Sequence, residues 1–247
     1  MPNLMGVNDV DAQKTLSNFE FSGKKFDELG AAEYTLACIE VDVSGSVSGY
    51  DQDLVKALEN IVKACEKDPK SENMLVRVST FNATLAEVHG FVPLDDIKSK
   101  DYGQYINPAG GTALYDATLD AIECTQKYGE NLVDMDYGCN AILFIVTDGE
   151  ENSSRIGSPK NIVNRIEAIR KAEKIESVKV ILIGVGDQTG VQQALDDFHK
   201  NAKIDQYLWV GEATPSKLAK LAEFISQSIS STSQALGTGA QSQNLTF

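Results

Sequence analysis

Residues 35–46 read TLACIEVDVSGS, and this stretch decides how the rest of the chain is understood. A short apolar, β-branched run ends in a carboxylate, Asp42, and passes straight into the turn Ser44-Gly45-Ser46. A run of that length stopped by a glycine turn reads as a buried strand rather than a helix. In open α/β sheets, ligands sit outside the carboxyl ends of the strands, where the strand order reverses. One segment therefore offers both a central strand and, at its end, a carboxylate with two hydroxyls facing solvent.

Outward from it, the same kind of run recurs at 74–81 (MLVRVSTF), 84–91, 141–147 (AILFIVT), 178–185 (VKVILIGV) and, more briefly, 206–210. Segments of helical period fill most of the gaps. Residues 51–67 set Leu54, Ala57, Leu58, Ile61, Val62 and Cys65 on one stripe, and 114–128 repeat the pattern. A Ser-Pro start opens 159–175, and 215–229 align Leu218, Leu221, Ile225 and Ile229. This alternation predicts an α/β fold in three layers, a mainly parallel sheet with helices on both faces. Only Asn82 and Ala83 separate the second and third runs, so these form a hairpin and 84–91 becomes one antiparallel edge strand. Residues 1–33 read as a polar, partly ordered N-terminal extension anchored by Phe19, Phe21 and Phe26, and 34–230 as the domain. Residues 231–247 carry no charge and read as a flexible tail.

Among 247 residues, 22 Lys and Arg face 36 Asp and Glu, for a net charge of −14. With no basic run longer than a pair, nucleic acid is excluded as a partner. No apolar run approaches the roughly 20 residues of a membrane span, and the start MPNLMGVNDVDAQK lacks a signal-peptide pattern. A soluble, cytoplasmic protein is expected. Cys38, Cys65, Cys124 and Cys139 are scattered and form no C-x-x-C pair, as expected of small buried hydrophobes. The two histidines, His89 and His199, exclude a His-rich zinc site.

Two further segments converge on the rim marked by Asp42: Gly110-Gly111-Thr112 before a helix, and Thr147-Asp148-Gly149-Glu150-Glu151-Asn152 after a strand. Together they supply only oxygen. Hard oxygen donors without His or Cys select Mg²⁺, Mn²⁺ or Ca²⁺, and a compact site with room for water suits Mg²⁺. Asp-x-Ser-Gly-Ser alone would read as a capped turn; with the other two loops in order it reads as a site. The segment 184–190, GVGDQTG, misses the dinucleotide spacing by one position.

These three segments resemble the von Willebrand factor A (vWA) family and its metal-ion-dependent adhesion site (MIDAS), in which D-x-S-x-S, a Thr and an Asp hold one divalent cation. The resemblance implies Ser44, Ser46 and Thr112 as hydroxyl ligands, with Asp42 and Asp148 holding the metal's waters. GGTALYDA and VTDGEEN are similar to the bacterial and phage single-domain branch, including the TerY-like proteins associated with tellurite resistance. It further implies a noncatalytic protein-binding module, an intracellular adaptor or assembly factor whose partner donates an Asp or Glu carboxylate to the metal. Metal affinity without that partner should be weak, since each tightens the other by linkage. The acidic surface calls for a basic or neutral patch around that carboxylate. The alternatives are a Mg²⁺-dependent phosphoryl hydrolase and a regulatory subunit of an ATPase machine. The hydrolase would need a second acid at position 44, which is Ser, and a placed Lys. The regulatory subunit would depend on another chain for hydrolysis, because no Walker A sequence occurs here.

Overall fold

Every residue of β3 (Glu33–Asp42) after the first is buried, and this strand lies in the interior of the sheet in the computed structural model, which describes residues 10–236, 238 and 245–247. Its flanks are β4 (Met74–Phe81) on one side and β6 (Gly138–Thr147) on the other, both parallel to it. β7 (Val178–Gly184) and β8 (Gln206–Trp209) extend the sheet beyond β6 in the same sense. On the other side β5 (Leu85–Pro93) folds back on β4 as an antiparallel hairpin.

The pleat sends alternate side chains to opposite faces, and each face has its own helical cover. Ile39, Val41, Val76, Val78 and Phe144 pack under α1 (Asp51–Cys65) and α5 (Pro215–Ala235). Leu36, Leu75, Leu143, Ile145 and Leu182 pack under α2 (Leu114–Val133), α3 (Pro159–Ala172) and α4 (Thr189–Ala202). The expected three-layer α/β arrangement is present. The Ser-Pro start also behaves as expected: the Ser158 hydroxyl accepts from the Asn161 N–H, while the Asn161 side chain accepts from the Ser158 N–H at 2.6 Å.

The antiparallel strand β5 is not outermost. β1 (Val10–Lys14) and β2 (Glu20–Lys24) form a hairpin whose second strand lies parallel to β5, with Gly23 opposite Phe91. The sheet order is β1-β2-β5-β4-β3-β6-β7-β8. Phe21 is fully buried, and the Glu87 carboxylate accepts the Ser22 N–H at 3.0 Å and its hydroxyl at 2.6 Å. Two glycines allow this contact. A Cβ on Gly90 would meet the Ser22 carbonyl at 2.0 Å, and one on Gly23 would meet the Tyr128 ring at 2.2 Å. The lead-in from residue 10 thus enters the sheet rather than standing beside the domain.

α5 outlasts its expected end at 229. Its last turns bury Thr232 and Ser233, and the Thr232 carbonyl accepts from the Asn140 side chain at 2.7 Å. The flexible-tail reading of 231–247 otherwise falls largely on 237 and 239–244, which lie outside the described residues. Among the described residues no helix is long and apolar enough to cross a membrane.

One polar group sits inside the α2 side of the core. Arg77 on β4 bonds Glu40 of β3 at 2.6 Å, Glu87 of β5 at 3.0 Å and Asp120 of α2 at 2.8 Å, with every partner side chain 3% exposed or less. The four cysteines are buried free thiols.

Candidate metal centre

The chain passes from β3 to β4 on one side of the sheet and places β6 on the other, so strand order reverses at β3. Asp42 ends β3, and Asp148 directly follows β6. Both carboxylates therefore stand at the carboxyl-terminal switch point. Asp42 is fixed through both oxygens: Oδ1 accepts the Ser44 N–H at 2.7 Å, and Oδ2 accepts the Thr147 hydroxyl at 2.5 Å.

Backbone bonds tie the three loops together. The Gly45 N–H donates to the Gly110 carbonyl at 3.1 Å, and the Ala109 N–H to the Val43 carbonyl at 2.9 Å. Thr112 donates its N–H to Asn152 Oδ1 at 2.8 Å and accepts the N–H groups of Asn152 and Ser153 at its carbonyl. Ser44 and Ser46 stand with their hydroxyl oxygens 3.0 Å apart, and Ser46 donates to Asp148 Oδ1 at 2.7 Å. A Cβ built on Gly149 would lie 3.1 Å from Thr112 Oγ1 and 3.9 Å from Asp42 Oδ2, which brings Thr112 to the same spot. All five predicted residues, Asp42, Ser44, Ser46, Thr112 and Asp148, thus share one small basin.

Burial pushes the Asp42 carboxyl up to about 6; the bonds from Thr147 and Ser44 oppose this, and the nearby Asp148 charge adds to it. Burial, then the charges of Asp148 and Asp42, hold the Tyr50 phenol far above its ordinary range. A divalent cation answers this environment, because it compensates two converging carboxylates and needs oxygen donors. The donor set fits a hard ion with hydroxyl ligands. Among the described residues no three His, Cys, Asp or Glu side chains converge to hold a metal, so any site here depends on the serines and the threonine.

Several residues that build the basin had no role assigned from the sequence. Thr147 and Asn152 orient Asp42 and Thr112. Glu151 accepts from the backbone N–H groups of Tyr115, Ser153 and Ser154, and Asp116 from those of Arg155, Ile156 and Gly157. Glu151 is therefore a loop brace. The available signal was local: Asp, Asn and Glu beside small polar residues commonly bond the backbone.

No protein-family model matches the sequence, and no curated protein matches it. Solved structures do match. The proximal thread matrix protein 1 from the mussel byssus, in a form with a zinc-occupied MIDAS motif, aligns over 81% of this chain and 46% of its own, at 18% identity and a TM-score of 0.51. The PilB minor pilin of Streptococcus sanguinis aligns over 86% of this chain and 65% of its own, at 15% identity and a TM-score of 0.54. The von Willebrand domain of the type V pili tip protein Mfa5 from Porphyromonas gingivalis aligns over 88% of this chain and 99% of its own, at 11% identity and a TM-score of 0.55. The chain thus spans less than half of the mussel protein, about two thirds of the pilin and the whole of the Mfa5 domain. Its mainly parallel sheet, helices on both faces and switch-point loops make it a protein of von Willebrand factor A-type fold.

Proposed function

We propose that this chain is a noncatalytic, metal-dependent protein-binding module. In this reading Ser44, Ser46 and Thr112 ligate Mg²⁺, with Mn²⁺ or Ca²⁺ as substitutes, while Asp42 and Asp148 hold its waters and orient the serines. The bound ion supplies a Lewis-acidic position for one more anionic oxygen. An Asp or Glu of a protein partner provides it, and binding of metal and partner are linked. The single observation that carries this reading is the run of contacts in which Asp42 accepts the Ser44 N–H, the Ser44 and Ser46 hydroxyls meet, and Ser46 donates to Asp148. Neutral hydroxyls leave the ion most of its charge, which favours capture of an outside carboxylate.

The four buried, unpaired thiols support a working place inside the cell. The connection to tellurite resistance and the TerY-like branch rests on the resemblance of GGTALYDA and VTDGEEN. The test is affinity capture with the full chain as bait, in Mg²⁺, in EDTA and with Asp42→Ala. The reading requires a partner retained by the wild type in Mg²⁺ alone; retention that ignores both chelator and mutation would overturn it.

A further inference from the structure

Glu40, Ser79 and Glu87 stand abreast on β3, β4 and β5, since Ser79 is in register with Glu40 on one side and Glu87 on the other. They share the face that carries Arg77, two positions earlier on β4. One guanidinium there faces the carboxyl groups of Glu40, Glu87 and Asp120, where uncompensated charge is costly. Burial holds the Glu40 carboxyl well above its ordinary range, against the pull of Arg77.

The cluster is buried but borders open space. A cavity of about 470 Å³ lies against it, with Arg77, Ser79, Glu87 and Asp120 in its wall and the exposed Glu20 and Arg155 also lining it. Asp116 completes the charged lining, giving four carboxylates against two guanidinium groups. Ser79 is 1% exposed, and its hydroxyl has no hydrogen-bond partner; neither has Glu40 Oε2 on the adjacent strand. A buried hydroxyl without a partner in the wall, beside four carboxylates that outnumber Arg77, Arg155 and the Lys14 that pairs with Glu20, marks a place for a cation bearing N–H groups.

We propose that this cavity binds a primary alkylammonium group, the end of a diamine or of a lysine side chain, as the second cation of the Arg77 cluster. The ammonium donates to Ser79 Oγ and to the Glu87 and Asp120 carboxylates, and its alkyl chain lies against Phe19 and Leu85, which also line the cavity. A metal ion is the poorer occupant: the volume far exceeds one ion, and among the described residues no metal-holding group of His, Cys, Asp and Glu exists. The inference stands apart from the metal reading, because none of Asp42, Ser44, Ser46, Thr112 and Asp148 lines this cavity.

The test titrates 1,4-diaminobutane and, separately, Nα-acetyl-lysine N-methylamide into the ¹⁵N-labelled full chain in metal-free buffer at constant ionic strength. Tetramethylammonium serves as a cation without N–H donors. The expected result is a saturable shift centred on the amides of Ser79, 84–87 and 116–120, with tetramethylammonium weaker by about tenfold or more. Glu20→Gln, an exposed change, should weaken binding by about threefold, Ser79→Val should abolish it, and Asp196→Asn on α4 should leave it unchanged. Saturation by either probe supports the site, and which one saturates identifies the source of the ammonium. Shifts that stay linear, spread over the acidic surface or appear equally with tetramethylammonium would overturn the proposal. Should Ser79→Val not fold, Glu20→Gln decides: binding identical to the wild type counts against the site.

Discussion

The hydroxyl of Thr147, at the end of β6, donates to Asp42 Oδ2, at the end of β3, across 2.5 Å. Two neighbouring strands thereby hold a carboxylate that burial alone would disfavour. Removing the donor with Thr147→Val should destabilise the protein by about 1–2 kcal/mol and weaken Mg²⁺ binding. Urea unfolding and Mg²⁺ titration of the same samples would check both.

Because the Asp42 carboxyl is pushed up to about 6, the metal-free protein holds its proton more tightly than the unfolded chain does. The contribution is present at pH 4 and lost as pH rises through 6, and amounts to about 3 kcal/mol. Asp42→Asn should therefore stabilise the metal-free protein at pH 7 while abolishing metal binding. Its amide oxygen can still accept from Ser44, and Thr147 can turn toward the Gly149 carbonyl, 3.3 Å away. Thermal melts in EDTA and in Mg²⁺ should rank the two proteins in opposite order.

His89 gives a pH effect of the other sign. Fully buried on β5, its ring nitrogens face the Gly90 carbonyl and the Tyr102 hydroxyl, each at 3.0 Å. Burial pushes it down to about 4. The unfolded chain then binds the extra proton, so stability is lost as pH falls from about 6.5 toward 4, by about 3 kcal/mol. Against His89→Gln, the wild type should lose that much more between pH 7 and pH 4. Asp42 and His89 act oppositely over one interval, so each is read against its own variant.

Gly149→Ala should separate folding from metal binding. The new methyl would sit 3.1 Å from Thr112 Oγ1, inside the basin, while the backbone there needs no positive φ. Mg²⁺ affinity should fall by at least about tenfold, equivalent to about 1.4 kcal/mol, with the metal-free melting temperature nearly unchanged. Calorimetric titration beside a thermal melt would show the split.

The Arg77 cluster predicts an asymmetric pair of mutants. Arg77→Met leaves three buried carboxyl groups without their cation and should cost about 3–5 kcal/mol. Glu40→Gln keeps the oxygen that Arg77 bonds and replaces the unpartnered Oε2. It should be neutral or stabilising by about 1 kcal/mol. Chemical denaturation of both variants is sufficient.

The parallel core was legible because its strands are runs such as AILFIVT, buried on both faces and therefore apolar without interruption. The basin was legible because its residues are consecutive within three short loops. The N-terminal hairpin was not: EFSGK offers one apolar side chain, Phe21, and joins the sheet through a close approach at Gly23 and Gly90 that no periodicity records. The final turns of α5 were equally hidden. Ser, Thr and Gln there look like linker, yet Ser228, Thr232 and Ser233 are buried, and Thr232 meets Asn140. Small polar side chains let that helix sit close to the sheet, a tertiary preference that overrides composition. Thr147 and Asn152 lie in a segment that the sequence marks, yet their roles were hidden because they act on Asp42 and Thr112 through hydrogen bonds that only the folded loops create.

The hairpin that pairs with β5 is made from residues 10–24, yet its docking strand comes only at residues 85–93. During synthesis the hairpin is therefore made well before the strand it docks on, and it waits until the β4–β5 pair exists. Until then, or in a chain clipped after residue 24, β5 offers a bare hydrogen-bonding edge flanked by Val88, Phe91 and Val92. Such an edge recruits other strands. The hairpin covers that edge, so its removal should appear as self-association of newly made protein before any loss of Mg²⁺ affinity.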